Sequence, residues 1–179
     1  IKSFHSNHRL LNQGRLIIAI LSAILFFEFF PAPYPMVDTS VPSIYFDLAA
    51  DRDDYAVLEV PISPITSPIP KWLYYQTVHE KRLVGGFVSR LPPYTLDFLN
   101  SPLISELACL DEVGEVNRDR LREGIALLRL HNVRYIIVHR DYLTNQQFKR
   151  VETLLKEAGL RIVYDDELVI AYIVPPQVW

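Results

Sequence analysis

The chain has 179 residues, half of them hydrophobic and 12% aromatic, with 18 Lys+Arg against 21 Asp+Glu and a formal net charge of −3. No basic block or patch interrupts this balance, which argues against nucleic acid as a partner and against adhesion to anionic lipid by charge. With the single cysteine Cys109 there is no internal disulfide framework, and in its setting SELACL that residue reads as a small buried hydrophobe.

Residues 1–15 form a polar flank. His5 and His8 stand at i, i+3, but two histidines without a third ligand make a weak metal site, so a loop or helix end is expected. Leu16–Phe30, LIIAILSAILFFEFF, is then apolar except for Ser22 and Glu28. As a helix it rises roughly 22 Å, short of the ~30 Å hydrocarbon core. The run continues through Pro31–Met36 at a plausible interface, so residues 16–36 are expected to span a membrane. Lys2, Arg9 and Arg15 precede it with no acidic residue before Glu28. That asymmetry places the N-terminal side in the cytoplasm and everything after Met36 outside. A cleaved secretory signal should end in small residues, whereas FFPAPYPM offers rings and prolines. A buried core helix should carry a polar stripe, which this one lacks. Glu28 is the intramembrane polar candidate, either functional or reaching outward to water. The chain begins at Ile1 without a methionine, and the expectation is that it continues a longer protein.

Residues 37–54 read as a juxtamembrane connector. It holds a helical turn at Ile44–Ala50 and a solvated charged turn at Asp51–Asp54 that lacks calcium-loop spacing. Tyr55–Ile62, YAVLEVPI, has the aliphatic density of a buried strand. Pro61, Pro64, Pro68 and Pro70 then dictate an extended loop. In Lys71–Pro93, Trp72, Leu73, Tyr75, Gln76 and His79 fit successive helical turns that fail before Gly85 and Gly86. Exposed amides at the paired glycines, flanked by Lys81, Arg82 and Arg90, suit an anion such as phosphate. The competing reading is a tight turn with solvated basic residues and a hydrogen-bonded structural His79.

Tyr94–Leu110, broken by Pro102, reads as short helices. Asn117 is a natural N-cap, and Leu121, Ile125 and Leu128 mark one face of a helix running to about Leu130. Arg134–His139, RYIIVH, is a second buried strand. Thr144 and Gln147 form a capping box for a helix lined by Phe148, Val151, Leu154, Leu155 and Ala158, and Gly159 closes it. Leu160–Tyr164 and Leu168–Val174 flank an acidic loop and read as an antiparallel hairpin. His131 and His139 take capping and loop-anchoring roles. The pattern is α/β: residues 55–179 form a small mixed sheet, Ala56–Val60 and Tyr135–Val138 central, the hairpin beside them and helices on the faces.

The segment YYQTVHEKRLVGGFVSR resembles one found near the C-terminus of large polytopic bacterial membrane proteins. These are similar to lipid-linked-sugar glycosyltransferases of the GT-C type, including the protein mannosyltransferase-like and YfhO-like proteins. The pattern falls on Tyr75, Gln76, Thr77, His79, Lys81, Gly85, Gly86, Ser89 and Arg90, and with VLEVP and RYIIVHRDY the likeness covers most of Asp54–Val174. Glu80 stands where the pattern has glycine, and Arg82 where it has proline. The resemblance implies a C-terminal extracytoplasmic accessory domain, with the last membrane helix, of an enzyme using a polyprenyl-phosphate sugar. The candidate ligand- or anion-binding positions are Tyr75, Gln76, His79, Lys81, Gly85, Gly86 and Arg90. In such enzymes the catalytic carboxylate lies in an early outward loop, so no residue here inherits a catalytic role, and no metal or cofactor is expected. The alternative is a non-catalytic, membrane-anchored interaction or scaffolding domain of the cell envelope. It is favoured by the lack of a nucleophile–base pair, metal spacing or cofactor loop.

Overall fold

The structure is a computed structural model that describes residues 2–29, 39–62, 71–84, 97–111 and 117–176, with side chains from residue 14 onward. It divides into two compact units, Ile1–Ser40 and Val41–Trp179. The first is one helix, α1 (Lys2–Glu28), of 27 residues. It begins well before the expected span, absorbs the flank expected to be separate, and ends at Glu28. Residues 31–36, which were to complete a span, lie outside the described residues. Among the described residues no helix is long and apolar enough to cross a membrane. The reason is in the composition: the N-terminal part of α1 is polar, and its apolar run alone is shorter than the hydrocarbon core. Within that run the large side chains are exposed on every side of the helix, from Ile20 at 50% to Phe27 at 85%.

The second unit is a three-layer α/β domain. A five-stranded sheet has the order β2-β1-β3-β5-β4, where β1 is Ala56–Val60, β2 Arg82–Val84, β3 Val133–His139, β4 Arg161–Asp165 and β5 Val169–Ile173. Strands β2, β1 and β3 are parallel, β5 is antiparallel to β3, and β4 and β5 form the C-terminal hairpin. All five residues of β1 are buried, as its aliphatic run requires of a strand covered on both faces. The mixed sheet, its central strands and the hairpin agree with the sequence reading. Edge strand β2 was not foreseen, because three residues with exposed Arg82 carry no periodicity.

Alternation along β1 and β3 sorts the core into two clusters. Leu58, Val60, Ile136 and Val138 face α4 (Ile104–Ala108), α5 (Arg118–Leu130) and α6 (Asn145–Glu157), packing on Leu107, Leu121, Leu128 and Leu154. Tyr55, Val57 and Ile137 face α2 (Ser43–Ala50) and α3 (Lys71–His79), packing on Tyr45, Leu48, Trp72 and Tyr75. The Asn117 cap accepts from the amides of Asp119 and Arg120, the Thr144–Gln147 capping box is formed, and Gly159 closes α6 with φ +78°. Gly124 on α5 lets the Pro102–Leu103 backbone approach so closely that an added Cβ would collide with Leu103 and with the Pro102 carbonyl. Gly124→Ala is therefore expected to lose about 1–3 kcal/mol, read as a lower urea midpoint at unchanged slope. An unshifted midpoint would mean that α5 and the 102–103 turn separate freely.

Candidate functional site

In open α/β sheets ligands gather outside the carboxyl ends of the strands where the order reverses. Here that point lies between β1 and β3, since the chain passes from β1 to β2 on one side and to β3 on the other. Each strand places one ionisable side chain there on the same face, Glu59 from β1 and His139 from the end of β3. Glu59 Oε2 lies 2.9 Å from His139 Nε2, and both side chains are 3% exposed. A carboxylate accepts, so Nε2 carries the hydrogen. Tyr45 of α2 donates its hydroxyl to both Glu59 oxygens at 3.2 Å and lies 3.4 Å from His139 Nε2. Burial, then the Glu59 charge, holds the Tyr45 hydroxyl far above the ordinary phenol range, so it stays a donor.

Aromatic rings enclose the pair. Tyr75 stacks on His139 at 6.0 Å and 14°, Trp72 lies 5.0 Å away, and Tyr142 meets the ring edge-on at 5.9 Å. Tyr45 in turn packs on Tyr75 at 4.5 Å and stacks on His79 at 5.5 Å. His79 Nδ1 accepts the Lys81 amide at 3.0 Å, which fixes the neutral tautomer with its hydrogen on Nε2. That Nε2 is buried without a partner. Burial, then the Lys81 charge, lowers the His79 pKa from 6.5 to about 4.

The structure turns the sequence-predicted anion-binding residues inward. Tyr75 is buried in the ring stack, and Gln76 Nε2 donates to the Lys81 carbonyl at 3.2 Å. Lys81 is 9% exposed, and its Nζ donates to the carbonyls of Asp51 at 2.5 Å and Asp53 at 2.9 Å. Gly85, Gly86 and Arg90 lie outside the described residues, and Glu28 closes α1. Glu80, where the resembled pattern has glycine, adopts φ +55°, a conformation glycine takes without strain. The Asp51–Asp54 turn, expected to be merely solvated, is clamped by Arg134, which reaches Asp51 at 3.0 Å and Asp53 at 2.8 Å. His139 is not the loop anchor expected of it but half of a core pair. Glu59 and Tyr45 were not singled out, although a lone charge inside a doubly buried strand is itself a signal.

Among the described residues no group of three or more His, Cys, Asp or Glu stands close enough to hold a metal. No protein-family model, no characterised protein and no solved structure matches the chain. Chemically the Tyr45–Glu59–His139 network is a closed set: each proton has an acceptor within it, and almost none of it meets solvent. It works as a lock that holds α2 against β1 and β3.

Removing one partner leaves the other buried without its counter-group, so Glu59→Ala and His139→Ala should each cost about 3 kcal/mol or more. In a double-mutant cycle the two losses should be strongly non-additive; simple additivity would show that the pair contributes nothing jointly. His79 gives a separate pH signature. Its ring takes a proton near 6.5 when unfolded and only near 4 when folded. Between those values the unfolded state binds more protons, so stability falls as pH drops from 6.5 to 4, by up to about 3 kcal/mol, and levels off below. Urea melts of His79→Gln across this window should lack that decline; an identical slope in both proteins would acquit His79.

Proposed function

We propose that this chain is a membrane-associated protein whose Val41–Trp179 domain serves, outside the cytoplasm, as the accessory domain of a glycosyltransferase using a lipid-linked sugar donor. The observation that carries the membrane part is the all-round exposure of the large apolar side chains of α1, such as Leu16 at 62%, Ile18 at 66% and Phe26 at 70%. A helix apolar on every side is stable in lipid or inside a bundle of similar helices, and costly in water. The membrane-spanning part is completed in this reading by residues 31–36, with Lys2, Arg9 and Arg15 on the cytoplasmic side. The sugar-transfer part rests on the resemblance of Tyr75–Arg90. The catalytic groups belong to the membrane-embedded portion of such an enzyme.

The inward turn of Lys81 and His79 argues against the described part of that block as the donor-phosphate site. It favours a second reading, a non-catalytic interaction domain of the cell envelope, because the residues that look chemical are committed to the domain's own backbone.

Cys109 supplies a direct test of topology. It is the single cysteine of the chain and, against the expectation of a buried hydrophobe, it is exposed. In intact cells a membrane-impermeant maleimide should label it, and the protein should stay in the membrane pellet after alkaline washing. Labelling only after lysis, or release by alkali, would overturn the topology. Transfer from a polyprenyl-phosphate sugar in host membranes should fall when residues 55–179 are deleted. Undiminished transfer would leave the interaction-domain reading in its place.

A further inference from the structure

Strand β4 stands at one end of the sheet, paired with β5 on one side and, among the described residues, with no strand on the other. The helical layers that bury β1 and β5 leave it bare. Ile162 is 51% and Val163 50% exposed, and of its five residues only Tyr164 is half-buried. Ile162 is level with Tyr172 and so lies on the α5–α6 side of the sheet, whereas Val163 lines a cavity with Leu48 and Tyr55 on the α2 side. Bare aliphatic side chains on both faces, beside the unpaired backbone groups of an edge, form a template for another strand. Lys and Pro, which commonly blunt such an edge, are absent from RIVYD. A bulge between Ile162 and Tyr164 leaves Val163 without a partner on β5. It shortens the flat stretch that an added strand can follow and pins its register.

The charges along this edge choose its occupant. Arg161 opens the strand, Asp165 closes it, and Asp166 and Glu167 follow in the turn. Asp165 is held by Arg140, and Asp166 by the Tyr164 hydroxyl and the amides of Leu168 and Val169. Arg161 and Glu167 are exposed, and among the described residues neither takes part in an ion pair. A second copy of the same strand, laid antiparallel, sets Arg161 of each against the acidic run of the other, twice about one two-fold axis. Laid parallel, it would set arginine on arginine and acid on acid. A strand from another protein would need this charge order in reverse, whereas β4 turned about a two-fold axis already has it.

We propose that two copies of the chain associate through β4, joined antiparallel about a two-fold axis near Val163 and Tyr164, so that one sheet runs through both. Such a contact uses up the free β4 edge of each copy and is closed at two. Five residues a side make it small, which puts it in the weak, reversible class of interface. The proposal needs neither the membrane reading nor the glycosyltransferase reading.

The test is light scattering of the full chain in a mild detergent at up to about 0.1 mM, where an interface of micromolar affinity is filled. A reversible dimer is expected. Ile162→Glu, which puts an acid on the joined edge, and Arg161→Glu, which sets acid against acid, should each raise its dissociation constant at least about tenfold. Both positions are exposed, so both variants should melt with the wild type. In a Cys109→Ser background, Val163→Cys should cross-link to its counterpart in the second copy on mild oxidation. Arg122→Cys, equally exposed but on α5, should not. A dimer whose affinity either glutamate variant leaves unchanged, or in which Val163→Cys fails to cross-link, is formed elsewhere and would overturn the proposal. A monomer across the whole range would overturn it too, and would leave the edge to a strand of another protein.

Discussion

A carboxylate in an interior strand of a sheet covered on both faces has almost no access to water, and the α2 side of this domain is arranged around meeting that constraint. Taking Glu59 out of solvent costs several kcal/mol unless it is paired and its lone pairs are filled. His139 supplies one hydrogen from the end of the neighbouring strand β3, and Tyr45 another from α2. The eight residues of α2 are too few for a stable isolated helix. Its position therefore depends on burial of Ile44, Tyr45 and Leu48, on the Tyr45 hydroxyl that reaches Glu59, and on the Ser43–Tyr164 hydroxyl bond at 2.9 Å. An apolar residue at 59 would give comparable stability with less geometric demand. What the carboxylate adds is direction, because a hydrogen-bonded pair tolerates much less sliding of α2 than a greasy contact does.

The same economy explains why the basic residues around the second strand are poor anion donors. Lys81, Arg134 and Asn132 all converge on the turn between α2 and β1. Lys81 caps the carbonyls of Asp51 and Asp53, Arg134 forks onto their carboxylates, and Asn132 donates to the Asp54 carbonyl at 2.6 Å. An acidic turn of this kind would repel itself if left in water. Here it is neutralised by cations drawn from two neighbouring strands or their approaches, so the positive charge that looks available in the linear chain is already spent.

That distinction marks what the amino-acid order reveals and what it conceals. Strand β1, the 3.6-residue face of α5, the Thr144–Gln147 box and the final hairpin were all legible, because each is set by neighbours within a few residues. The fold class follows from their order. The pairing of Glu59 with His139 is not legible in that way, since 80 residues separate them and only the parallel register, with Glu59 opposite Ile137, brings them within reach. His139 looked like a loop residue because it ends its strand. Lys81 looked like a ligand donor because its true partners lie 28 and 30 residues earlier and are backbone carbonyls, which sequence does not distinguish. Glu59 was the one detectable clue: a charge within AVLEV demands a partner if both faces are buried.

The two ends of α2's contact surface differ in how their polar groups are met. At the carboxyl end of β1 and β3, where α/β proteins usually bind, Tyr45 and His139 both direct a hydrogen at Glu59, and Trp72, Tyr75 and Tyr142 pack around His139. Beside the start of β1, the same helix presents Asp47 and Leu48 to a cavity of about 160 Å3 lined by Tyr55 and by Asp51, which Arg134 holds. Tyr45 and Leu48 are one helical turn apart, so the lock that fixes one fixes the wall of the other.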